Sequence, residues 1–219
     1  TEFKKRTGKR LHKQPFSIQT EDSLNLQATN AYCFINNHSK ETIIIGAHYD
    51  HIGYGGALSK SFTDNQIHNG ADDNASGVAM VIALAETLSK QSSTVNYLFV
   101  FYSGHEIGLF GSQAFCSWIL SKKHRFHNIQ RVINFDMIGR MDRGTNTLRC
   151  SFFPENDSLI RNNTAADFDI QLKEGTTETL LKLDTKTFVE QQIPSYNFTT
   201  GIHVDYHKTT DDSIYINYE

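Results

Sequence analysis

The chain has 219 residues, 38% of them hydrophobic and 21% charged, with a formal net charge of −3. That length and balance suit one folded domain over 1–219 with a sizeable core. They give no electrostatic case for nucleic acid or an anionic membrane surface, and no apolar run approaches the roughly 20 residues that span a bilayer.

In chain order, residues 1–14 are basic and polar (Lys4, Lys5, Arg6, Lys9, Arg10, Lys13), the pattern of a solvated, poorly ordered end. Phe16–Gln19 alternates like a strand, and Ala31–Ile35 and Thr42–Ala47 read as two more strands joined by a turn. The second of these is apolar on both faces, as a central covered strand should be. Val78, Val81, Ile82, Ala85 and Leu88 recur at helical spacing and predict a helix from about Ala75 to Ser89. Val95–Tyr102 is a buried strand, Gly108–Leu120 a second helix, and Arg131–Asp136 a strand ending in an acid. Later come a strand at Thr147–Phe152, a helix at Asp157–Ala166, a helix end at Phe188–Gln191 and a strand at Ser195–Thr199. Strand and helix alternate through the centre, which predicts an α/β fold with a mixed, mainly parallel central sheet and helices on both faces.

Cys33, Cys116 and Cys150 match no zinc-knuckle or redox spacing and read as small buried hydrophobes. The sequons at Asn37, Asn162 and Asn197 are short enough to arise by chance.

Chemistry-bearing residues gather where strands end. His48-Tyr49-Asp50 ends one central strand, His105-Glu106 the next, and Asp136 the one after; Asp205-Tyr206-His207 follows the late strand. The acidic pair Asp72-Asp73 sits between glycines at the mouth of the Ala75 helix. Asp73 or Asn74 is placed to cap that helix, which leaves the other acid in need of a cation. Ligands of open α/β sheets bind at the carboxyl ends of the strands. Taken singly, each residue has a bland use as a cap, a loop acid or a satisfied buried histidine. Together, His48, Asp72, Glu106, Asp136 and His207 form a mixed imidazole–carboxylate set suited to zinc. Residues i and i+2 of a strand point the same way, so Asp50 is placed to hold the imidazole of His48 in one tautomer. His51 and His68 read as loop histidines.

These stretches resemble peptidase family M28, the co-catalytic zinc aminopeptidases. The resemblance rests on His48-Tyr49-Asp50, Gly70-Ala71-Asp72-Asp73-Asn74-Ala75-Ser76-Gly77, Glu106-Ile107-Gly108-Leu109-Phe110-Gly111-Ser112, Asp136-Met137-Ile138-Gly139-Arg140 and Asp205-Tyr206-His207, in the family's order from about Asn30 to the end. It implies two zinc ions bridged by Asp72, with His48, Glu106, Asp136 and His207 as the other ligands. It further implies a cis peptide bond between Asp72 and Asp73, a substrate α-amine near Asp136, and Tyr206 polarising the scissile carbonyl. Peptides with a free N-terminus are the implied substrates, hydrolysed at the first peptide bond by a metal-bridging hydroxide.

One position departs from the pattern. The family's proton-shuttling glutamate, directly before the zinc-binding glutamate, is His105 here. A neutral imidazole accepts protons near neutral pH, but two neighbouring dications oppose its protonation. Two alternatives therefore stand beside the aminopeptidase: a metal-binding relative that holds peptide or amino acid without efficient turnover, and a glutaminyl-cyclase-like enzyme, which shares the fold and generally uses one zinc. Asp184 falls near a position where relatives often carry a Ser-Asp pair, but the preceding residue here is Leu183, and Asp184 receives no role. The start at Thr1 rather than Met reads as a processed or trimmed end, and a secreted or periplasmic location is expected over a cytoplasmic one.

Overall fold

A computed structural model of the chain describes residues 1–19, 25–62, 65–126, 128–155, 157 and 170–218. The helix expected at Asp157–Ala166 lies outside the described residues apart from Asp157. Eight strands form one sheet in the order β1-β2-β4-β3-β5-β8-β6-β7. They are β1 (His12–Gln19), β2 (Asn25–Ile35), β3 (Glu41–His48), β4 (Asn96–Tyr102), β5 (Asn128–Phe135), β6 (Thr147–Phe153), β7 (Gln171–Glu174) and β8 (Ser195–Thr199). The helices are α1 (Glu2–Thr7), α2 (Gly77–Leu88), α3 (Phe110–Leu120), α4 (Lys123–Phe126), α5 (Thr177–Leu180) and α6 (Lys186–Glu190).

The four central strands β4, β3, β5 and β8 run parallel to one another. On one side β1 and β2 join antiparallel. On the other, β6 pairs antiparallel with β8 and parallel with β7. Their common direction brings the carboxyl ends of four strands to one edge of the sheet.

The central strands are covered on both faces because their side chains alternate. Ile44, Leu98, Val100 and Tyr102 pack under Phe115, Cys116 and Ile119 of α3 and Phe188 of α6. Ile45, Phe99 and Phe101 point the other way, against Val81 and Ala85 of α2. Burying side chains of this size contributes roughly 1.5–3 kcal/mol each, which is what seats α2 and α3 on opposite faces. No helix among the described residues is long and apolar enough to cross a membrane.

The N-terminal stretch corrects the expectation of a loose polar end. Residues Glu2–Thr7 form a helix capped at Gly8, and Phe3 is buried, edge-on to Phe101 at 5.9 Å. One aromatic residue in a basic stretch is enough to dock it. All three cysteines are free and buried. Of the sequons, Asn197 is buried and accepts a hydrogen bond from Asn134, so it is no acceptor for a glycan in the folded chain.

Candidate metal centre

The parallel strands deliver three of the expected residues to the same edge. His48 ends β3, Asp136 follows β5, and Glu106 lies in the turn after β4. His207 comes from the loop after β8, and the irregular turn Ala71–Ser76 before α2 supplies an aspartate. All of these side chains are buried or nearly so.

That aspartate is Asp73, and here the structure corrects the sequence reading. Asp73 Oδ1 lies 3.4 Å from His48 Nε2, and its Oδ2 lies 3.4 Å from His207 Nε2. His48 Nε2 is also 3.5 Å from Asp136 Oδ1, and His207 Nε2 is 3.2 Å from Glu106 Oε2. So Asp73 presents one oxygen to each of two imidazole–carboxylate pairs. Asp72 is turned away. Its Oδ1 accepts from the Gly139 N–H at 2.6 Å and its Oδ2 lies 3.2 Å from His203 Nε2. The cis peptide bond likewise falls between Asp73 and Asn74, one residue later than expected.

The cap explains the local arrangement. Asn74 Oδ1 accepts from the Gly77 N–H at the first turn of α2 and from the Met137 N–H beyond β5. Gly77 has to be glycine, since a Cβ there would lie 2.4 Å from Asn74 Oδ1 and 2.6 Å from the Phe135 carbonyl oxygen. With Asn74 committed to the helix mouth, Asp73 is the residue left facing the cluster.

Asp50 is also differently employed than expected. The group that meets His48 Nδ1, at 3.1 Å, is the backbone carbonyl of Asp50; its carboxylate lies 3.9 Å away. That carboxylate accepts instead from the backbone N–H groups of His105 and Glu106, at 3.2 and 3.3 Å, and so fixes the turn carrying both. Tyr206 stacks on His207 with ring centroids 4.0 Å apart and lies under the ammonium of Lys60.

Several residues that the sequence reading passed over support the cluster. His51 Nδ1 sits 3.1 Å from Glu106 Oε1, so it belongs to the site rather than to a loop surface. Asp211 Oδ2 accepts from the amides of Asp72 and Asp73, and Arg140 binds Asp211 and Asp205 at 2.9 and 2.7 Å. Asp184, fully buried, holds His105 Nδ1 at 2.9 Å. These partners are far apart in sequence, and nothing in local spacing announces them.

The electrostatics gather negative charge around the two imidazoles. Burial opposes charge on His48, but Asp136 and Asp73 outweigh it and hold its pKa well above the ordinary 6.5. Burial likewise opposes charge on His207, yet Asp73 and Glu106 raise it to about 9. Burial would raise Glu106, and His207 with His51 bring it down to about 2. Asp73 is held far below its usual range against burial, by His207 and His48. A field that retains protons this firmly favours a metal ion in their place once the imidazoles are neutral.

The spacing also fits zinc. Donors around a tetrahedral ion bound at about 2.0–2.1 Å lie about 3.3 Å from each other. The four contacts above span 3.2–3.5 Å. His48 Nε2 and His207 Nε2 are buried and face carboxylate oxygens at 3.2–3.5 Å without hydrogen-bond geometry, an arrangement that suits nitrogens placed to bind a metal ion. The stereochemistry of the donor set therefore accommodates one ion on each side of Asp73.

Beside the cluster is a cavity of about 320 Å³ lined by Asp73, His105, Asp136, Leu183, Ile202 and Tyr206 among others. Its lining combines the acids Asp73 and Asp136 with apolar side chains such as Leu183 and Ile202.

The chain is similar in sequence and in fold to known proteins. The family model of peptidase family M28 matches residues 30–219. A probable leucine aminopeptidase of Trichophyton verrucosum is 28% identical over 148 residues, 64% of this chain and 34% of its own length. One from Arthroderma otae is 30% identical over 134 residues, 58% and 31% of the respective chains. The chain thus spans about a third of the length of the curated relatives it matches. Among solved structures, a leucine aminopeptidase precursor from Bacteroides thetaiotaomicron superposes with a TM-score of 0.77 at 17% identity, over 99% of this chain and 80% of that one. A glutaminyl cyclase from Porphyromonas gingivalis gives 0.78 at 18%, over 99% and 81%. At these identities the superpositions speak for a shared fold.

Proposed function

Because this chain belongs to peptidase family M28, we propose that it is a zinc-dependent aminopeptidase that releases the N-terminal residue of peptides. The observation carrying this reading is the placement of the two Asp73 oxygens, one toward His48 and Asp136 and the other toward His207 and Glu106. Those five side chains would hold two zinc ions with Asp73 shared. Zinc bound there would supply Lewis acidity and bring water close to ionisation at neutral pH.

The protein's own groups perform the rest. Asp136, at the cavity wall, receives the protonated α-amine of the substrate and so selects an unblocked N-terminus. The first side chain enters the apolar part of the cavity beside Leu183 and Ile202. Tyr206 lines the same cavity, and burial together with nearby Asp73 and Glu106 pushes its pKa up, so its hydroxyl stays protonated and donates to the oxyanion forming on the scissile carbonyl. His105 takes the proton of the attacking water and passes it to the leaving amine as the C–N bond breaks.

His105 also supports the second reading, a metal-binding relative without efficient turnover. Zinc content measured together with leucyl-anilide hydrolysis, for wild type and His105→Glu, separates them. Two zincs with wild-type turnover that chelator abolishes supports the aminopeptidase. Turnover only in His105→Glu supports the impaired relative. One zinc with cyclisation of N-terminal glutamine would point to a glutaminyl cyclase instead.

A further inference from the structure

His105 is held by three contacts, two at its ring and one at its backbone. Its Nδ1 is 2.9 Å from Asp184 Oδ2, its backbone N–H donates to Asp50, and its ring stacks on His48 with centroids 3.8 Å apart and planes 8° from parallel. Asp184 has no exposed side-chain surface. It lies 79 residues from His105 in sequence, just before α6.

A carboxylate only accepts, so the nitrogen facing it carries the hydrogen whether the imidazole is neutral or charged. The second nitrogen, Nε2, is then the only one that exchanges a proton, and His105 is a wall of the cavity.

A ligand nitrogen of His105, one of His48 and an Asp136 oxygen lie within 4.8 Å of one another, but the stack argues against both imidazoles binding one ion. An imidazole holds its metal near its own ring plane. Parallel rings in contact have planes roughly 3.5 Å apart, so an ion in the plane of His48 stands well outside the plane of His105. A zinc–nitrogen bond of about 2.0–2.1 Å does not bridge that offset. His48 is itself fixed through Nδ1 to the Asp50 carbonyl, at 3.1 Å.

We propose that Asp184 is a positioning residue for the reaction: by accepting the Nδ1–H of His105 it fixes the ring's orientation and tautomer, so that Nε2 faces the cavity and does the proton transfer that a carboxylate would otherwise do. This rests on the aminopeptidase reading for its chemistry. The proton leaves the attacking water for Nε2 and leaves Nε2 for the amine nitrogen, while Nδ1 keeps its hydrogen throughout.

The test joins a spectroscopic and a kinetic readout on the full chain. Long-range ¹H–¹⁵N spectra of the zinc-free protein, with His105 assigned by its loss in His105→Gln, should show Nδ1 protonated in wild type and a tautomer mixture in Asp184→Leu. With zinc restored, Asp184→Leu should lose about 10- to 100-fold in kcat with KM nearly unchanged, as when the partner orienting a working imidazole is removed. In a His105→Ala background the same change should cost nothing further. Nδ1 still fully protonated in Asp184→Leu, or an undiminished loss in the His105→Ala background, overturns the proposal. Should Asp184→Leu fail to fold, Asp184→Ala removes the same acceptor and is judged the same way. A wild type that binds two zincs and hydrolyses no aminoacyl substrate overturns the peptidase reading instead, and the tautomer spectra then decide the role of Asp184 alone.

Discussion

Asp211 holds Asp73 in place through the backbone: one carboxylate oxygen, Oδ2, lies 3.0 Å from the Asp73 amide nitrogen and 3.0 Å from that of Asp72. Its other oxygen is occupied by Arg140. Through that amide Asp211 sets the direction of the residue shared between the two halves of the cluster. Asp211→Ala should therefore keep the fold while weakening zinc binding by about 10- to 100-fold, the usual effect of removing a group that orients a ligand. Competition with a calibrated chelator measures this; unchanged affinity would reject the role.

The one-residue distinction between the two adjacent acids is directly testable. Asp73→Asn should abolish tight binding of both zincs, because it removes charge from the oxygens facing His48 and His207. Asp72→Asn should retain both zincs with an affinity loss of no more than about 100-fold, since Asp72 works through the Gly139 amide and His203. Elemental analysis after gel filtration tells them apart, and equal zinc loss in the two variants would contradict the assignment.

The metal-free protein should have a defined pH window of stability. Glu106 is lowered from 4.5 to about 2, so its contribution is complete above pH 4.5 and disappears as pH falls toward 2. His207 is raised from 6.5 to about 9, so its contribution is complete below pH 6.5 and disappears as pH rises through 9. Thermal melts in chelator from pH 3 to 10 should therefore peak between about pH 4.5 and 6.5. Added zinc should raise the melting temperature most on the alkaline side, where the imidazoles are already neutral.

Phe115 tests the division between scaffold and site. It is fully buried against Tyr32, Tyr102 and Trp118. Phe115→Ala should cost about 3–5 kcal/mol in urea unfolding. Zinc content at low temperature should stay at the wild-type level, because its ring partners Tyr32, Tyr102 and Trp118 are not residues of the cluster.

The elements with periodic side chains were legible in the sequence. Ser195–Thr199 is a strand with the expected bounds, and α2 begins within two residues of its expected start because Val81 and Ala85 mark its buried stripe. The site was legible to the level of segments. His48, Glu106, Asp136 and His207 stand where strand ends put them, but the choice between Asp72 and Asp73 was not readable. Two identical residues in an irregular turn have no period to tell them apart; what decides is Asn74, which takes the cap and aligns the turn against Phe135 and Met137. His51, Asp184 and Asp211 were missed for a related reason, since each acts on a segment at least 55 residues away. The docking of Phe3 was hidden by the basic residues around it.

The Asp211–Asp73 contact also dictates an order of events. It joins residues 138 apart, and His207 comes from the same late segment. Closing so long a loop is entropically costly and slow compared with forming local structure. A ribosome-bound chain that has emerged only through β5 would carry most of the parallel sheet but could not aim Asp73. The centre is assembled only when β8 and the loop behind it arrive, so capacity to bind zinc tightly should appear only once Asp211 has emerged.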